Sequence, residues 1–152
     1  RKSASVAMKC NIPDSLVSKA FIAHVYGSGT LGYAGGKYDT LRREMVANVL
    51  SLGNFTVGED LAAPEITPTI KNGAVVSGNT IVFRLRDRLS GIRSYRVEID
   101  GHWVLAQQDA KTRRIIIPLQ DARIQRGKKH TLEFVAEDNC GNVSRLKRTF
   151  TW

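Results

Sequence analysis

DRLSGIRSYRVEIDGHWVL, residues 87–105, decides how the whole chain is read. It reads as a β-hairpin. Asp100-Gly101 lies between two runs rich in β-branched and aromatic residues, and Asp-Gly suits the type I′ turn, whose central residues both need positive φ. A two-residue loop pairs Ile99 with His102, Glu98 with Trp103, Val97 with Val104 and Arg96 with Leu105. Strand side chains alternate, so Val97, Ile99 and Val104 share the core side, while Arg96, Glu98, Trp103 and Leu105 share the other. A three-residue loop would turn Trp103 inward instead.

Downstream, the same alternation repeats. Thr80 to Arg86 (TIVFRLR) sets Ile81, Phe83 and Leu85 against Val82, Arg84 and Arg86. Arg113 to Pro118 (RRIIIP), His130 to Glu137 and Val143 to Thr151 follow as strands, separated by turns at Asp109 to Thr112, Gly127 to Lys129 and Asp138 to Asn142. The prolines around Ile66 suit an edge strand. Seven strands with turn signals every eight to twelve residues predict an immunoglobulin-like sandwich, with a barrel as the alternative. The expected inner face is Ile81, Phe83, Leu85, Tyr95, Val97, Ile99, Leu132, Phe134 and Ala136, with Ile116 or its neighbours. Each such side chain, fully buried, contributes roughly 1.5–3 kcal/mol.

Upstream, Gly58 to Pro64 is small and polar and leads into a proline, which marks a module boundary. The chain therefore reads as all-β: two Ig-like sandwich modules in tandem, a short first one over 1–60, incomplete if strands lie upstream, and a second over 61–152. In the first, Ser5 to Lys9, Ala20 to Tyr26 and Leu31 to Ala34 read as strands, with Phe21, Ala23 and Val25 on one face, and Gly35-Gly36 as a turn or bulge. Thr40 to Leu50 is open between helix and strand. Leu41 and Met45 fit a helical period, but the Ser51 to Gly53 turn and Phe55 to Val57 favour a strand over Met45 to Leu50. The Arg1-Lys2-Ser3 start reads as that of an excised piece.

The 152 residues carry a net charge of +9, unevenly placed. Residues 1–60 hold seven Lys/Arg against five Asp/Glu, and residues 61–152 sixteen against nine, giving +2 and +7. A basic second module suits anionic partners such as acidic glycans, although solvated surface charge is the plainer reading. No apolar run approaches a membrane span. The basic residues scatter without a stacking set of aromatics, so nucleic acid is not the expected partner.

Catalytic and metal sites are not expected. His24, His102 and His130 have no ligand at metal spacing, and Cys10 and Cys140 form no Cys-x-x-Cys pair and have no histidine beside them. There is no Gly-x-Ser-x-Gly elbow, and the glycines at 27–29 and 35–36 lack phosphate-loop spacing. Asp87, Asp100, Asp109 and Asp138 fall at strand ends, where carboxylates cap turns. No cofactor is expected. Surface recognition is left: Trp103 beside Arg96 and Glu98 forms an exposed aromatic platform of the kind glycans use, unless the adjoining module covers it, and Arg84 is a further basic surface candidate.

Several strings carry a resemblance: Leu89-Ser90-Gly91-Ile92, Ile99 to Leu105, Gln108 to Lys111, Gly127 to Leu132 and Asp138-Asn139-Cys140-Gly141-Asn142. Over residues 64–152 the chain resembles the C-terminal Ig-like modules of lysostaphin-like zinc murein endopeptidases of Bacteroides-type cell envelopes. Gly35 to Tyr38 and Leu52 to Phe55 extend the likeness to the preceding module. In such proteins the zinc ligands belong to the peptidase domain, so the resemblance implies a non-catalytic accessory region assisting wall attachment or substrate access. It implies a peptidase domain upstream in cis, peptidoglycan or another anionic glycan as partner, and a periplasmic or cell-envelope location. A stand-alone adhesion or carbohydrate-binding module and a structural spacer are the alternatives.

Overall fold

The computed structural model describes residues 3–152, so the Arg1-Lys2 start lies outside the described residues. The described residues are all-β apart from one short 3₁₀ helix, and the chain divides into two compact units. The first holds residues up to Ala62 together with Arg88–Gly91 and Asn139–Asn142; the second holds Ala63–Asp87, Ile92–Asp138 and Val143–Trp152. The two loops were expected in the second module. They group with the first because Leu89 and Cys140 pack with Phe21, Ala23 and Leu31, and because Asp60, buried, accepts the Ser90 N–H at 2.9 Å.

The first unit contains β1 (Ala4–Lys9), the 3₁₀ helix Asp14–Lys19, β2 (Ala20–Val25), β3 (Leu31–Tyr33), β4 (Lys37–Asp39), β5 (Glu44–Val49) and β6 (Asn54–Glu59). Its two three-stranded sheets run β1-β5-β4 and β3-β2-β6. Ile12, Ala20, Ile22, Met45 and Ala47 fill its core. β2 is buried on both faces: Ile22 joins this core, while Phe21 and Ala23 join the cluster with Cys140. The expected single face of Phe21, Ala23 and Val25 is therefore half of the pattern. The Thr40 to Leu50 ambiguity resolves as a turn followed by a strand. Asp39 Oδ1 accepts the N–H groups of Leu41 (3.0 Å) and Arg42 (2.9 Å), and Arg43 takes φ 52°, so no helix starts there. The Asp14–Lys19 3₁₀ helix lies between β1 and β2, where the sequence shows no helical period.

The second unit contains β7 (Glu65–Pro68), β8 (Ala74–Val75), β9 (Thr80–Arg86), β10 (Ile92–Ile99), β11 (His102–Trp103), β12 (Gln107–Asp109), β13 (Arg114–Pro118), β14 (Lys129–Asp138) and β15 (Val143–Thr151). Its sheets run β11-β10-β14-β15-β8 and β12-β13-β9-β7. The chain changes sheet five times, between β7 and β8, β8 and β9, β9 and β10, β11 and β12, and β13 and β14, and β8 runs parallel to β15. Such crossings link the two sheets of an Ig-like sandwich. Asp100 and Gly101 take φ 51° and 76°, as the type I′ turn requires, and Glu98 pairs with Trp103 and Ile99 with His102.

The core follows the alternation. Ile81, Phe83, Leu85, Val97, Ile99, Val104, Leu132, Phe134 and Ala136 are buried. Phe83 and Phe134 meet edge to face at 5.5 Å. One expectation shifts, at Tyr95, and one left open, in β13, is decided. Tyr95 is half-buried, with its hydroxyl donating to the Ala106 carbonyl at 3.2 Å. In β13 the inward residues are Ile115 and Ile117, leaving Ile116 half-buried on the outside. The turn before β13 sets that parity.

Candidate functional site

The outward residues of β9 and β13 make a strongly charged cleft in the second unit. β9 presents Arg84 and Arg86, β13 begins with Arg114, and Arg113 precedes it in the turn. These four arginines, with Glu65, Thr67 and Thr112, line a cleft of about 520 Å³. Register places Arg84 directly across from Arg114, with Thr67 on its other side, and sets Arg86 across from Glu65. Among the described residues, none of the four guanidinium groups is in an ion pair. Arg114 also faces Asp109, but that carboxylate is occupied by the turn. The Thr112 hydroxyl (2.6 Å) and the Lys111 N–H (3.0 Å) donate to it. These bonds, with the charge of Arg114, hold Asp109 below the usual carboxylate range against some desolvation.

The first unit supplies an internal comparison. Asp39 and Asp109 each accept N–H bonds from the residues two and three further on, and the arginines four residues on, Arg43 and Arg113, take φ 52° and 56°. The β4–β5 and β12–β13 hairpins thus share one turn. Met45 and Ile115, both fully buried, occupy the same place after it. Aligned this way, Glu44 corresponds to Arg114, and its partner across the ladder, Lys9, corresponds to Arg84. One unit sets opposite charges across the strands where the other sets two arginines.

The residues singled out in the sequence do not converge. Arg84 lies in the cleft, whereas Arg96, Glu98 and Trp103 lie on the other sheet of the sandwich. Arg96 Nε donates to Glu98 Oε1 at 2.6 Å, so its charge is compensated locally. Trp103 is 49% exposed, on an edge strand across from Glu98, as the two-residue turn requires. Beside it is a shallow recess of about 170 Å³ lined by Tyr95, Val97, Val104, Leu105 and Ala106, which offers no charge.

The other polar features are distributed. Cys10 and Cys140 form no disulfide among the described residues. Asp100 and Asp109 serve their turns, whereas Asp138 is fully buried and brings a carboxylate oxygen within 4.8 Å of Asp87, a convergence missed when each was assigned to its own turn. His130 has the partners that the sequence did not show: Nδ1 to Asp100 Oδ2 at 2.6 Å and Nε2 to the Gln125 carbonyl at 2.8 Å. Among the described residues, no helix is long and apolar enough to cross a membrane.

No family model matches the chain, and no curated protein matches it. Among solved structures, it is similar to a mutant of the SrpA adhesin from Streptococcus sanguinis, at 18% identity and a TM-score of 0.43, over 60% of this chain and 58% of that one. It is also similar to CopC from Methylosinus trichosporium OB3b, at 17% identity and a TM-score of 0.41, over 57% of this chain and 92% of that one. The chain thus spans less than two thirds of the adhesin's length.

Proposed function

We propose that this is a non-catalytic binding module whose second unit holds an anionic polymer, an acidic cell-envelope glycan, in the arginine cleft. The observation that carries this reading is the Arg84–Arg114 pair. Like charges directly opposite in an antiparallel ladder cost stability, by up to about 1 kcal/mol, and the matching Lys9–Glu44 position of the first unit avoids that cost. A guanidinium stays charged and offers a planar fork of donors matched to carboxylate or phosphate. A bound polyanion would turn the repulsion into attraction. The setting we favour, on the resemblance alone, is attachment to the wall beside a peptidase domain in cis, in the periplasm or cell envelope.

Arg84→Glu separates binding from folding. It sets opposite charges across β9 and β13, so the melting temperature should rise by roughly 1–5 °C. Retention on purified peptidoglycan that keeps its acidic polymer should fall about tenfold, and wild-type retention should weaken between about 0.05 M and 0.5 M salt. Retention indifferent to both salt and Arg84→Glu would overturn the proposal.

A further inference from the structure

The first unit carries a second cleft of different chemistry. It is about 410 Å³ and opens at the end of the β3-β2-β6 sheet, where His24, Tyr26 and Phe55 face Asn48 and Ser51. No lysine, arginine, aspartate or glutamate lines it. Its aromatic groups are fixed in advance. His24 pairs with Gly32 on one side and Phe55 on the other. Its imidazole lies 4.7 Å from the Tyr26 ring, tilted by 32°, and 5.1 Å from the Phe55 ring, edge on.

Two glycines make room for this row. A Cβ on Gly32 would stand 2.7 Å from Tyr26 Cε2 and 2.8 Å from its hydroxyl, so the phenol ring lies over bare backbone. A Cβ on Gly53 would collide with His24 Nε2. Tyr26 is tied at the main chain as well, its N–H donating to the Thr30 carbonyl (3.0 Å) and its carbonyl accepting the Gly29 N–H (2.8 Å). Yet 53% of Tyr26 remains exposed. His24 Nδ1 is buried without a hydrogen-bond partner among the described residues, so packing holds the imidazole in the row. Across the cleft, Asn48 and Ser51 are exposed, and their side chains make no hydrogen bond to any described residue.

We propose that this cleft binds a neutral pyranose ring, stacked on Tyr26 and hydrogen-bonded by Asn48 and Ser51. A sugar presents an apolar C–H face to a ring and hydroxyls at its edge, and it calls for amide and hydroxyl groups that both donate and accept. A nucleotide or an acidic sugar would call for a cation, and this cleft has none. The site is separate in residues and in charge from the arginine cleft.

The test is amide chemical-shift mapping of the 152-residue chain with cellotriose and, separately, the N-acetylglucosamine trimer, at millimolar concentration. The expected shifts are confined to residues 24–35 and 48–55, with either or both sugars. Tyr26→Ala should weaken the interaction about tenfold. Gly32→Ala, which keeps the ring but unseats it, should weaken it too, and both variants should leave the amides of the second unit in place. Arg84→Glu should leave sugar binding unchanged. Absence of shifts with both sugars, unchanged binding in Tyr26→Ala, or tighter binding of a galacturonate trimer would overturn the proposal. So would shifts of the same amides with protein concentration alone, which would assign the cleft to a second copy of the chain.

Discussion

Phe134→Ala is expected to destabilise the second unit by about 3–5 kcal/mol, a large part of the stability of an ordinary domain. Phe134 is fully buried at the middle of β14, paired with Val97 on one side and Leu146 on the other. Its ring meets Phe83 at 5.5 Å from the facing sheet and Tyr95 at 6.1 Å. Truncation removes one of the contacts between the two sheets and leaves a void in a close-packed core. Both tryptophans, Trp103 and Trp152, belong to the second unit, so urea unfolding followed by tryptophan fluorescence reports on this unit. The melting temperature should drop by on the order of 20 °C. Ile117→Ala should cost about 2–5 kcal/mol and the half-buried Ile116→Ala distinctly less. Equal losses at Ile116 and Ile117, or a loss below about 1 kcal/mol at Phe134, would contradict this packing.

That contrast at β13 shows where local sequence stops carrying information. The hairpin at Asp100-Gly101 and the inner rows of β9 and β14 were legible because a turn pair and a period of two are local signals. Three consecutive isoleucines have no alternation, and their parity depends on the Asp109–Arg113 turn, whose left-handed arginine has no obvious sequence mark. The same turn hid β5 inside a helix-like stretch. The arginine cleft was out of reach for a related reason. Arg84 was a candidate as one basic residue among many, but its partner is fixed by the pairing of β9 with β13, far apart in sequence. The aromatic cleft likewise depends on three strands laid side by side and on two glycines whose importance lies in what passes over them. The likeness between the two hairpins, Asp39 to Arg43 and Asp109 to Arg113, could have been found by comparing the chain with itself.

The second unit should lose stability as pH rises through the His130 titration, and Asp100→Asn should remove most of that dependence. Both imidazole nitrogens face acceptors, Asp100 Oδ2 and the Gln125 carbonyl, and an imidazole satisfies two acceptors only when both nitrogens carry protons. Burial favours the neutral ring, but the Asp100 bond, the Gln125 carbonyl and the Asp100 charge outweigh it and raise the His130 pKa above its ordinary 6.5. Asp100 moves the other way. Its desolvation is outweighed by His130 and by the Thr131 N–H at 2.8 Å, which hold it below its ordinary 3.8. With the folded pKa of His130 above the unfolded one, its contribution is complete below about 6.5 and disappears as pH rises through the folded value. With the folded pKa of Asp100 below the unfolded one, its contribution is complete above about 3.8 and disappears as pH falls through the folded value. The pair therefore contributes most between those limits. Asp100 is 41% exposed at its side chain, so solvent screens the interaction, and the cost of Asp100→Asn at mid-window should be about 1–2 kcal/mol. Asparagine accepts the left-handed turn and can still receive the Thr131 N–H, but its Nδ2 then replaces the oxygen that faces His130 Nδ1, so the lost charge and the lost acceptor together account for the difference. Urea midpoints measured at pH values spanning the window decide the matter: wild type and Asp100→Asn should differ most at mildly acidic pH and converge as the imidazole deprotonates. Parallel curves across that range would mean that His130 is held as a neutral ring, with one nitrogen facing an acceptor to which it cannot donate.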